Sequence, residues 1–180
     1  MDPKATERLT LHAMLVVAAL ALSAVERWFP LQAVVPIPGI KLGLPNVVTL
    51  FALFCMDTRS AAVLLMVRVL LSALLFGSPS SLIFSAAGGL FALGAMRLAM
   101  FGYPRHFSVS GVSVAGALAH NTGQVCAAVV VMGSTKALAY LPMLAVASLA
   151  TGLITGTGFY AVCKKLRTMP ELRDRFVWRI

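Results

Sequence analysis

Arg68 stands alone among apolar residues, in a run from about Ser60 to Phe76. If that run is a membrane span, the guanidinium lies near mid-depth, where an arginine costs about 2.5–3.5 kcal/mol. It must then face the protein interior, either to bind an anion or to satisfy carbonyls left unpaired by irregular backbone. A second polar group is His120-Asn121-Thr122-Gly123-Gln124, again inside an apolar run. His120 and Gln124 are four apart, and Asn121 and Gln124 three apart, so they share roughly one helical face. Interhelical hydrogen bonds average only about 0.6 kcal/mol, so packing alone is a weak reason to gather three such groups. The third group is Lys41 with Asn46, in Pro38-Gly39-Ile40-Lys41-Leu42-Gly43-Leu44-Pro45-Asn46. Asn46 suits a helix N-cap, and Pro45 suggests an extended approach to it. The free N–H groups at such a helix start favour an anionic ligand. The alternative is a purely structural re-entrant loop.

The elements that hold these residues follow from composition. The chain has 180 residues, 59% apolar and 12% charged, with a mean hydropathy of +0.90. Soluble domains carry about 25% charged residues. So much apolar side chain cannot be hidden by a water-soluble fold of this size, and the chain reads as an integral membrane protein. The runs lack the alternation of a membrane barrel, so helices are expected. Six spans fit, at about Leu9–Phe29, Asn46–Met56, Ser60–Phe76, Ser81–Phe101, Gly111–Met132 and Leu138–Cys163. Residues 1–163 form one six-helix membrane domain, and residues 164–180 a basic amphipathic tail on the cytoplasmic leaflet. The start of the chain also has features of a signal peptide, but the length of its apolar run favours a retained span.

With the N-terminus inside, eleven lysines and arginines fall on the cytoplasmic side, against Arg27, Lys41 and Lys136 outside. Both termini are therefore expected in the cytoplasm, and the net charge of +9 needs no nucleic-acid partner. Glu26 and Arg27 read as a solvated helix end, with Arg27 a further positive charge favouring an anion. Gly152 and Gly156 read as helix-packing positions. The small residues Ala18, Ala19 and Ser23 are candidates for an intermolecular face. Cys55, Cys126 and Cys163 have no metal or redox spacing and read as buried thiols. No acidic pair, nucleophile–base set or nucleotide motif is apparent, so neither an enzyme nor a resident metal or cofactor is expected.

The segments at 38–46, 77–81 (Gly-Ser-Pro-Ser-Ser), 111–116 (Gly-Val-Ser-Val-Ala-Gly) and 120–124, together with Arg68, resemble the Gx transporter family. That family is often labelled heptaprenyl diphosphate synthase component I, and it resembles the S-components of energy-coupling-factor (ECF) vitamin transporters. Pro45 departs from the pattern, where a small residue is expected. The resemblance implies an all-α, six-helix, N-in/C-in bundle in a bacterial plasma membrane. Its pocket would lie near the outer face, gated by the loop after helix one and lined by helices four to six. By position, Lys41, Asn46, Arg68, His120, Asn121 and Gln124 become candidates for binding a small, anionic or carbonyl-rich substrate, flavin- or quinone-related. Ala19 and Ser23 become candidates for docking a transmembrane coupling subunit driven by two ATPases. The alternative is a non-catalytic scaffold subunit of a membrane redox or prenyl-lipid complex. The synthase label fits poorly, because prenyl synthases use aspartate-rich magnesium motifs and this sequence has none.

Overall fold

In lipid every amide needs an internal partner, and an apolar run of about 20 residues satisfies that as a helix. The computed structural model describes residues 3–29, 35, 40–76, 79–169, 176, 178 and 179. The helices are α1 (Pro3–Glu26), α2 (Asn46–Cys55), α3 (Thr58–Phe76), α4 (Pro79–Ala99), α5 (Val109–Met132) and α6 (Leu141–Arg167). Five are long and apolar enough to cross a membrane, whereas α2 has only 10 residues. Pro36, Pro38, Gly39, the Gly77-Ser78 turn and tail residues 170–175, 177 and 180 lie outside the described residues.

Local chemistry sets the helix ends. The Ser108 hydroxyl accepts the Gly111 N–H at 3.0 Å to open α5, and Gly133, left-handed at φ 61°, closes it. Helix α6 is preceded by a 3-10 turn, Thr135–Tyr140, and continues past the expected Cys163 to Arg167. Lys164, Lys165 and Arg167 in its last turn suit the negative end of the helix dipole.

Helix α5 is central, with α4 along one side and α6 along the other. Gly152 and Gly156 allow this closeness, since a Cβ there would meet Val114 Cα at 2.6 Å and Ser110 Cα at 2.7 Å. The outer surfaces carry large apolar side chains such as Leu74, Leu98, Val130 and Ile154, as a lipid-facing bundle requires. Cys55 and Cys163 are buried, but Cys126 is exposed on this outer surface, contrary to expectation.

The short α2 determines how the loop before it runs. Ten helical residues rise about 15 Å, half of a hydrocarbon core of about 30 Å. Helices α2 and α3 form a hairpin that sets Asn46 beside Arg68, midway along α3. The loop ending at Pro45 therefore reaches mid-depth before α2 begins. At the other end of α2, the described tail residues 176, 178 and 179 lie against the bundle. Phe176 packs edge-on against Phe51 at 5.4 Å and Trp178 at 5.3 Å, and the Arg179 N–H donates to the Phe54 carbonyl at 3.1 Å.

Candidate functional site

Helix α1 ends on Glu26, which sequence reasoning set aside as solvated. It is 4% exposed. Its carboxylate accepts the N–H groups of Gly43 and Leu44, the latter at 3.2 Å. Irregular backbone at membrane depth is tolerated only when protein satisfies its amides, and Glu26 does so here. The sequence does hold a signal for this. Ala19, Ser23 and Glu26 are spaced four and three apart, so burial of the first two carries the third inward. Arg27 points the other way, donating to the Phe76 carbonyl with its guanidinium 5.7 Å from the Phe76 ring. It caps α3 and takes no part in the site.

From the α5 side, the Gln124 side-chain amide clasps the Lys41 peptide. Its oxygen accepts the Lys41 N–H at 2.9 Å, and its nitrogen donates to the Lys41 carbonyl at 2.8 Å. Gln124 also donates to Asn121 Oδ1 at 3.1 Å, while Asn121 Nδ2 donates to Ser148 Oγ at 2.7 Å on α6. Asn121 and Gln124 are thus engaged in holding the loop and α6. Changing Gln124 to leucine removes both bonds to the Lys41 peptide, leaving groups worth about 1–3 kcal/mol when unpaired. We expect amide exchange at Lys41 to accelerate at least tenfold while α6 keeps its protection. Unchanged exchange at Lys41 would show that the clasp does not hold the loop.

Arg68 (6% exposed), Asn46 (4%) and His120 (2%) face the space between these two clasps. Arg68 donates one N–H to Asn46 Oδ1 at 3.3 Å, and the Lys41 ammonium donates to Ser85 Oγ at 2.9 Å. Arg68 Nε and Asn46 Nδ2 have no hydrogen-bond partner, and neither His120 nitrogen makes a well-formed bond. The His120 ring lies between two glycines: a Cβ on Gly43 or Gly88 would sit 2.8 Å from it. The remaining cavity is about 10 Å³, room for roughly one water. Ser23, Glu26, Lys41, Arg68, Ser72, Ser85 and His120 line it, with Glu26 the carboxylate among them.

Three expectations need correction. Asn46 is the first helical residue rather than the cap; Pro45 takes the cap position with helical angles (φ −63°, ψ −11°), not extended ones. The first N–H groups of α2 are not free for a ligand. Those of Asn46, Val47 and Val48 bond to the carbonyls of Gly43, Leu44 and Pro45 at 3.0–3.2 Å. The anion sits one step earlier, on the loop amides, and it is the chain's own Glu26. Finally, Ala19 (1% exposed) and Ser23 (6%) face inward, with Ser23 lining the cavity, so they present no docking face. The outward face of α1 carries Met14, Val17, Ala18, Ala21 and Val25 instead.

At the opposite end of the bundle an open groove gathers Arg8, His12, Asp57 and Arg59. Asp57 accepts the Ser60 N–H at 2.8 Å and its hydroxyl at 3.1 Å, which holds its carboxyl below the usual range. Among the described residues, the buried side-chain nitrogens that lack a partner all lie in the chamber under the loop.

A family described as heptaprenyl diphosphate synthase component I matches residues 15–161. The chain belongs to this family. The match spans every residue of the chamber, from Ser23 to Gln124, and agrees with the resemblance carried by the motifs at 38–46 and 120–124. Comparison with curated proteins and with solved structures returned no match. Within the family's span, then, the loop, Arg68 and the α5 polar group form one continuous arrangement.

Proposed function

We propose that this family member is the solute-binding membrane subunit of an ECF-type uptake transporter. It takes a small anionic or carbonyl-rich solute, a flavin- or quinone-related cofactor or precursor, from the outer side of a bacterial plasma membrane. It works with a transmembrane coupling subunit and two ATPases, and carries out no covalent chemistry itself. The observation that supports this is a chamber of buried donors at mid-depth, covered by a loop held through a few separable hydrogen bonds. A purely structural polar core has no need of unpartnered donors, because each costs about 1–3 kcal/mol. The cavity is too small for such a solute, so binding requires residues 42–44 to move.

The decisive experiment is mass spectrometry of small molecules released by denaturing gently purified protein, beside an Arg68→Ala control. We expect a stoichiometric ligand in the first, and its loss in a control that is still folded. A folded control that retains the ligand would remove Arg68 from the site. The paired network of Asn121, Gln124 and Ser148 favours a second reading, a scaffold subunit of a membrane redox or prenyl-lipid complex. Protein that releases no small molecule in either form would shift the balance toward it.

A further inference from the structure

We propose that the ligand of this chamber, if the solute-binding reading holds, is an amphiphilic monoanion that displaces residues 42–44. Its acidic group meets Arg68 and Asn46, and its compact apolar body takes the place of the loop tip. Charge supplies the first argument. The cavity holds two cations, Lys41 and Arg68, against one carboxylate, Glu26, leaving room for a single further negative charge. A diphosphate would bring more anionic charge into a water-poor site than it can balance, and a neutral solute would leave a cation uncompensated. The second argument is hydrogen bonding. Arg68 Nε and Asn46 Nδ2 are both donors, both lack a partner, and both belong to residues more than nine-tenths buried. They fit acceptor oxygens such as those of a carboxylate.

A second cavity of about 10 Å³ defines the other end of the ligand. It shares Gly43 with the first and is lined by Asn46, the partner of Arg68, with Leu42, Leu44, Met96 and Ala117. Its hydroxyls are already engaged. Ser113 and Thr155 bond each other at 3.0 Å, and Thr151 donates to the Ala147 carbonyl at 2.9 Å. The wall therefore offers apolar contact more than free donors. Withdrawal of residues 42–44 joins the two cavities into one space, charged at one end and apolar at the other.

The test uses the full chain in lipid nanodiscs and three probes: 2-naphthoate, the neutral 2-naphthalenemethanol and geranyl diphosphate. Affinities are read from thermal-unfolding titrations. We expect 2-naphthoate to bind at least tenfold more tightly than either of the others. Glu26→Gln, which raises the site by one positive charge, should narrow the gap to geranyl diphosphate. Lys41→Met, on the partly exposed loop, should instead move preference toward the neutral alcohol. Tighter binding of the diphosphate or the alcohol by the wild type would overturn the monoanion assignment. No response to any probe would overturn it too. A small molecule released on denaturation of the same preparation would then leave the solute-binding reading standing on its own.

Discussion

Replacing Glu26 with alanine is expected to destabilise the protein by roughly 2–6 kcal/mol, since two part-buried amides lose their acceptor at about 1–3 kcal/mol each. The amides are those of Gly43 and Leu44, at membrane depth where water cannot easily replace the carboxylate. The same change leaves Lys41 and Arg68 without a nearby counter-charge. The measurement is thermal unfolding in detergent together with amide exchange at Gly43 and Leu44. Both should change in the alanine variant. Glu26→Gln keeps an acceptor oxygen and removes only the charge, so it should recover part of the stability. Equal loss in both variants would assign the role to charge alone; no loss in either would remove Glu26 as the clasp of the loop.

Gly43→Ala should be nearly as costly, for a different reason. Gly43 has φ +84°, where an L side chain costs about 1–2 kcal/mol. Its Cβ would also fall 2.8 Å from both Asn46 Nδ2 and His120 Cδ2, and overpacking of that kind costs typically about 1–3 kcal/mol. Gly133→Ala is the control. It shares the positive φ, at 61°, but has open space around it, so only the backbone part applies. We expect Gly43→Ala to lose roughly 2–5 kcal/mol and Gly133→Ala about 1–2, by thermal unfolding under identical conditions. Equal losses would show that the His120 side of the loop is soft enough to adjust.

Much of this arrangement could be read from the sequence because lipid leaves the backbone few choices. Apolar runs had to be helices, and a lone arginine inside one had to turn inward, as Arg68 does. The shared face of His120, Asn121 and Gln124 follows from helical spacing, and all three are buried. Spacing could not say which of them would be paired. Gln124 is consumed by the peptide of Lys41, 83 residues away, and no local pattern encodes a partner that distant. Glu26 was missed for a related reason. A carboxylate at the end of a span usually meets water, and only the loop folding back over α1 removes that water. The expected free amides at the start of α2 failed because Pro45 adopts helical angles, letting the first turn bond back to residues 43–45.

The bond from the Arg179 N–H to the Phe54 carbonyl has a consequence for how the chain comes together during synthesis. Phe54 leaves the ribosome early, while the residue that completes its end of α2 is made only after α3 to α6. Through translation of those four helices, that end of α2 lacks the aromatic cover of Phe176 and Trp178. Consolidation there therefore comes after α3 to α6 have been made. A chain arrested before residue 176 would carry all six helices yet leave one end of its shortest one without that cover.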